Sequence, residues 1–244
     1  MDSGYYAACT ALVTQSQALE LVANNLANSS TSGYRSQQSI FRSVLAETPG
    51  MPLSPLNFAI NQYGVMEGTR LDLRQGSLQP TSNPLDLAIE GSGFFVVQTA
   101  AGRFFTRDGG FHVANGQLVT AAGDAVMGDE GAVRLIDGQV SIGPDGTVSV
   151  NGALAGKLRV VDFPEGTPLE SEGQTYYSAP KGVEKAATEF SVRQGVLESS
   201  NVNPIAATVE LITVQRQFDL MRRALSIFDS QFNRTAAETL PHFP

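Results

Sequence analysis

Cysteine is almost absent: Cys9 is the only one in 244 residues. An internal disulfide and a cysteine-cluster metal site are therefore excluded. Charge is scarce too, at 16% of residues against roughly 25% in ordinary soluble domains. The 16 basic residues are outnumbered by 24 acidic ones. A net charge of −8 argues against a nucleic-acid or anionic-membrane partner. No stretch approaches the ~18 consecutive apolar residues of a membrane span. The first twenty residues, MDSGYYAACTALVTQSQALE, lack the basic start and apolar core of a secretory signal. Composition alone thus places the chain in the cytosol, unless export uses a signal of another kind. A surface so poor in charge is expected to meet protein rather than water.

What the chain does have is helical periodicity at both ends. Leu12, Leu19 and Leu26 repeat every seven residues, with small residues Cys9, Ser16 and Ala23 beside them. This predicts one helix over residues 4–28 with a seam suited to close approach. Glu20 is the only charged side chain between Ser3 and Tyr34. The face away from the leucines carries Thr10, Val13, Thr14, Gln17, Leu21, Asn24 and Asn28, where a water-facing helix normally carries charge. Asn24, Asn25 and Asn28 offer donors and acceptors that packed copies of one helix could satisfy mutually. The plainer alternative is that Asn28 ends the helix before the turn-like NSSTSG.

At the other end, Leu211, Val214, Phe218, Met221, Leu225 and Phe228 follow a 3-4-3-4-3 spacing. Asn203 is the expected cap and Pro204 opens the first turn. Ile205, Val209, Ile212, Leu220 and Ile227 make a second apolar face, which demands a second partner.

Between the ends, RSQQSIFRSVLAE (35–47) could extend the first helix on Ile40, Phe41, Val44 and Leu45, and TPGMPLSP reads as a loop. From 76 to 197, short apolar runs alternate with Asn115-Gly116, Asp137-Gly138, Asp145-Gly146 and Asn151-Gly152, each a hairpin signal. The expected fold class is α+β. Residues 1–45 with 198–240 form a discontinuous coiled-coil-like helical domain, 46–75 an extended linker, and 76–197 a central antiparallel all-β domain.

No catalytic constellation emerges. His112 lies in a strand-like segment and His242 in the tail. Gly91-Ser92-Gly93 lacks the context of a phosphate loop. Asp86 and Glu90 have a spacing common by chance, and Asp145 is better explained by a turn than by calcium. No cofactor or metal is expected.

Several segments together carry a family resemblance. VANNLANSSTSGYR (22–35), NPLDLAIEGSGFFVVQ (83–98), FTRDGGFHVANGQLVT (105–120), GPDGTVSV (143–150) and GVLESSNVNPIAATVELITVQRQFD (195–219) are similar, in order, to segments of the bacterial flagellar axial proteins. The chain resembles their basal-body rod members. The short MDSGYY start, the compact centre and AVMGDEGAVRL (125–135) favour the proximal rod type over the distal rod or hook type. Gln217-Phe218, where distal and hook relatives usually have a small residue and Tyr, points the same way.

The resemblance implies terminal helices paired in an inner tube, an outer β domain, and a structural rather than enzymatic role. It also implies a drive shaft that transmits torque in the periplasmic rod, export by the flagellar secretion apparatus without a cleaved signal peptide, and assembly with copies of itself and other rod or hook subunits. A rival of another class is a secreted β module binding glycan or peptidoglycan through Tyr176 and Tyr177.

Overall fold

The computed structural model describes residues 2–42, 65–136, 138–164 and 166–239. It is α+β, with a helix at each end and a β-rich centre. The chain divides into two compact units. One contains Met1–Leu26, Gln37–Thr69 and Asn203–Pro244; the other contains Ala27–Ser36 and Arg70–Val202.

In the helical unit, α1 spans Asp2–Ala27 and α2 spans Pro204–Thr239. Ala11, Thr14, Gln15, Ala18 and Val22 are buried in α1. Leu12, Leu19 and Leu26 are half-buried beside them. The buried stripe is thus centred one residue away from the leucine repeat, on small and uncharged side chains that admit close neighbours. Gln15 Nε2 donates to Gln217 Oε1 at 2.6 Å and links the two helices. Asn203 caps α2 as its sequence predicts: its side-chain oxygen accepts the amides of Ile205 and Ala206 at 3.0 and 3.1 Å.

The segment read as a helical extension is a strand. β1 (Gln37–Arg42) pairs with β2 (Val65–Leu71) in a two-stranded ribbon. Helical spacing of Ile40 and Phe41 is outweighed by what precedes them: the helix stops at Ala27 and Gly33 turns in the left-handed region, φ +68°. Asn25 then reinforces the extended path. Its Nδ2 donates to Gln37 O at 2.8 Å and its Oδ1 accepts Gln37 N at 2.9 Å, so the carboxamide imitates a neighbouring peptide group. Val44, Leu45 and the proline-rich stretch lie outside the described residues.

In the β unit every strand pairing is antiparallel. The central strand, Phe94–Thr99, lies between Gly102–Thr106 and Ala125–Gly128. Its uninterrupted FFVV run is buried on both faces, as strand alternation requires of such a run. Phe95 and Val97 enter one core with Leu87, Ile89, Leu118 and Val126. Phe94 and Val96 enter a second with Phe105, Phe163 and Tyr177. Asn115-Gly116 joins His112–Ala114 to Gln117–Val119, and Asn151-Gly152 joins Thr147–Val150 to Ala153–Lys157. Both residues of each pair take positive φ, as two-residue hairpin turns of this kind demand. Asp145 Oδ1 accepts Thr147 N, fixing the intervening turn. Asp137 lies outside the described residues.

Candidate functional site

Two features merit description, one in each unit. The first is α2. Its predicted seam, Leu211, Val214, Phe218, Met221 and Leu225, is half-buried, with Ala207 buried at its start. The side chain of Phe228 lies outside the described residues. On the remaining surface of the helix, Ile205 is 77% and Leu220 64% exposed, and Val209, Ile212 and Ile227 are also open. Among the α1 asparagines, Asn24 is exposed, Asn25 is half-buried against Gln37, and Asn28 is buried with its Oδ1 accepting Thr31 Oγ1 at 3.2 Å.

The second feature, in the β unit, was not foreseen from the residues. Arg35 is 0% and Glu198 1% exposed, and Arg107 is buried beside them. Arg35 Nη1 stands 2.6 Å from Glu198 Oε1 as an ion pair. Arg107 Nη1 donates to Glu198 Oε2 at 3.3 Å. Arg107 is further braced: Nη1 donates to Ile89 O, Nη2 to Gly91 O, and its guanidinium lies 5.3 Å from the Phe94 ring centre. Burial and the nearby Arg35 charge pull the Arg107 pKa down to about 10.

The segment bringing Arg35 here is tied by its backbone. Gly33 N donates to Glu198 O at 2.7 Å. Arg35 N donates to Tyr177 Oη at 2.9 Å. Ser36 N donates to Asn201 Oδ1 at 2.7 Å, while Asn201 Nδ2 donates to the carbonyls of Asp72 and Arg74. Gly33 packs so closely that a Cβ there would come 2.1 Å from Asp108 N. Burial raises the Tyr34 pKa to about 12 and pushes Tyr177 higher still. The sequence signal was faint but present: single charged residues inside otherwise uncharged or apolar runs, STSGYR and GVLES.

The residues weighed for chemistry have other occupations. His112 is exposed on a strand and His242 lies outside the described residues. Asp86 accepts Asn83 Nδ2, whereas Glu90 pairs with Arg193 across adjacent strands. Tyr177 is fully buried, so it cannot line a glycan groove with Tyr176. Tyr176 stacks on Phe104 and shares its hydroxyl with Thr120 and Asp124. Among the described residues, no group of acidic, histidine or cysteine side chains is arranged to hold a metal ion. No described helix is long and apolar enough to cross a membrane.

Comparison with known proteins places three family profiles on the chain. Residues 6–35 match the flagella basal body rod protein profile. Residues 88–150 match the flagellar hook protein FlgE/F/G D1 domain, and residues 193–237 the flagellar basal body rod FlgEFG protein C-terminal profile. Each matched stretch supplies one member of the charged cluster: Arg35, Arg107 and Glu198 respectively. The chain is 32% identical to the flagellar basal-body rod protein FlgF of Caulobacter vibrioides over 98% of both chains. It is 30% identical to FlgF of Salmonella typhimurium, covering 96% of this chain and 97% of that one. With the flagellar basal-body rod protein FlgG of Bacillus subtilis it shares 31% identity over 86% of this chain and 89% of that one.

Proposed function

The chain belongs to the flagellar basal-body rod protein family, and from that premise we propose how its two units divide the work. It is a structural subunit of the basal-body rod, and its similarities favour the proximal over the distal rod type. We infer no enzymatic role.

The terminal helices pair in a coiled-coil-like manner and build the inner tube, while the β unit forms the outer layer. Copies of this chain and other rod or hook subunits complete the helical faces, through Leu12, Leu19, Asn24, Asn25, Leu26 and Asn28 on α1 and the Leu211–Phe228 seam on α2. A contact of this kind that repeats without closing into a ring generates a helical shaft. Such a shaft transmits torque from motor to hook. The subunit reaches the periplasmic rod through the flagellar export apparatus, without a cleaved signal peptide.

The observation that carries this reading is the second apolar face of α2. Ile205, Val209, Ile212, Leu220 and Ile227 are exposed on a helix whose other face is half-buried. Exposed apolar surface arranged in a stripe marks an association site. The test is an Ile205→Asp/Val209→Asp double substitution in a flagellated cell. The protein should remain soluble with an intact β unit, yet rods should be incomplete and cells non-motile. Normal motility would remove this face from the assembly.

A further inference from the structure

We propose that Asn115 is a site of spontaneous covalent modification, at which the Gly116 amide nitrogen attacks the Asn115 carboxamide and expels ammonia. Water then opens the resulting ring to an aspartyl or isoaspartyl residue. The fold directs the reaction to this site and spares the same dipeptide at Asn151-Gly152.

The two dipeptides form a matched pair. Each makes the two-residue turn of an antiparallel hairpin, between partners Ala114 and Gln117 in one and Val150 and Ala153 in the other. The backbones nearly coincide: φ is 52° at Asn115 and 51° at Asn151, 71° at Gly116 and 82° at Gly152. All four residues are exposed. A following glycine leaves the attacking nitrogen unshielded by any side chain of its own. Sequence and backbone therefore give the two sites the same start.

The carboxamides differ. Asn151 Oδ1 accepts the Gln139 amide at 2.9 Å, and the Asn151 amide donates to Gln139 O at 3.0 Å. The Asn151 side chain also packs on Gly138, where a Cβ would come 2.3 Å from Nδ2. To react, Cγ of Asn151 must leave Gln139 and Gly138 and swing towards Gly152. Asn115 has no such tether: among the described residues, nothing hydrogen-bonds its side chain. Its turn is fixed through the backbone instead, where Gly116 O accepts Leu135 N at 2.9 Å. The Asn115 carboxamide can thus sample its rotamers while the nitrogen it must meet stays in place.

The step balances without oxidant or cofactor. Base removes the Gly116 amide proton, a bond forms between that nitrogen and Asn115 Cγ, and the Cγ–Nδ2 bond breaks. The departing nitrogen takes a proton from water and leaves as ammonia. Hydrolysis at Cγ then gives aspartate, and hydrolysis at the main-chain carbonyl gives isoaspartate. Either product adds a negative charge to the turn. The isoaspartyl form also lengthens the main chain by a carbon, which a two-residue turn cannot absorb without shifting the pairing of His112–Ala114 with Gln117–Val119. His112–Ala114 is the terminal strand of its sheet, so the change falls at the edge and not on Phe94–Thr99.

The test ages the purified full-length chain in mildly alkaline buffer, native and in concentrated urea, and follows both sites by peptide mass spectrometry. In the native chain Asn115 should convert about three- to tenfold faster than Asn151, the factor expected when one hydrogen bond must first be given up. In urea the gap should close, because both sites are then the same dipeptide in an open chain. Equal native rates, or a faster Asn151, would overturn the proposal. So would a gap that persists in urea, which would trace it to the flanking Ala114 and Val150 and not to the fold. Conversion of both sites in urea with neither in the native chain would show that the turn itself protects Asn115, and would also overturn it.

Discussion

In the β unit Leu87, Ile89, Phe95, Val97, Leu118 and Val126 are sealed from solvent, whereas on Pro204–Thr239 the equally apolar Ile205, Val209, Leu220 and Ile227 stand open. The contrast is one of completion. Strand alternation sends successive residues of the FFVV run into two cores that the same unit supplies. A helix that is apolar on two sides can cover only one of them against a single neighbour. The polar groups repeat the pattern. In the β unit a buried carboxylate has two arginines and a backbone amide. On α2 the hydroxyls of Thr208 and Thr213 bond back to their own helix, a local solution needing no tertiary partner.

The comparison breaks most severely at Glu198. Replacing it with Ala leaves Arg107 buried with no anion beside it, and breaking a buried pair from one side costs about 3–5 kcal/mol. Chemical denaturation of the β unit should show a loss of that size. A change under about 1 kcal/mol would mean that the carbonyls of Ile89 and Gly91 suffice for Arg107.

A smaller effect separates the tyrosines. Burial raises Tyr34 and Tyr176 to about 12 from an ordinary value of 10, and raises Tyr177 further. A raised phenol pKa stabilises the folded state fully below pH 10, and that stability is lost as pH climbs through 10 towards the folded value. The β unit should therefore lose stability from about pH 10 upward, at up to roughly 1.4 kcal/mol per unit of pH for each of the buried Tyr34 and Tyr177 and less for the half-exposed Tyr176. Phenolate absorbance sharpens the comparison. Tyr34, Tyr176 and Tyr177 should all ionise late in the free chain. Ordinary ionisation of Tyr34 would show that its segment leaves the folded unit.

Gly33→Ala should do less to the β unit as a whole. Its Cβ would strike the backbone of Asp108, and Ala tolerates φ near +68° poorly, so residues 28–36 cannot keep their place against the β unit. Since Tyr34 and Arg35 are buried with this segment, global stability should fall by about 1–3 kcal/mol. Amide exchange protection of 28–36 should be lost in the purified chain. A change under about 0.5 kcal/mol would show that burial of Tyr34 contributes little to the unit.

How much of this could be read from the residues follows the same division. The hairpins at Asn115-Gly116 and Asn151-Gly152 were legible because the turn chemistry is local, and the Asn203 cap for the same reason. The two apolar faces of α2 were legible because a helix displays its period in one dimension. The strand at 37–42 was missed because its cause, the Asn25 carboxamide reaching Gln37, lies twelve residues back and mimics no local pattern. The Arg35–Glu198–Arg107 cluster was missed because its members are 72 residues apart or more. No periodicity joins such positions, and only folding the β unit brings them to one carboxylate. The displacement of the α1 stripe from the leucines to Ala11, Gln15, Ala18 and Val22 has another cause: where neighbours come close, small side chains take the centre and large ones flank it.

The least disturbance to the free chain is expected at Leu220. It is 64% exposed, so Leu220→Asp removes little buried area and strands no partner. Denaturation of the free chain should shift by no more than about 0.5 kcal/mol, the usual range for an exposed substitution. Two positions earlier, Phe218 is half-buried in the seam, and an aspartate there meets an apolar neighbourhood. Phe218→Asp should therefore weaken the helical unit as well as the shaft. The two variants should look alike in cells, both non-motile with incomplete rods, and unlike in the purified subunit, where only Phe218→Asp loses helical circular dichroism. That separation follows from one face being covered within the chain and the other awaiting a neighbour. If Leu220→Asp cells assemble rods and swim, this part of the open face has no neighbour. If both variants lose helix equally in the isolated subunit, the two faces are not distinct, and α2 depends on its whole circumference before it meets another chain.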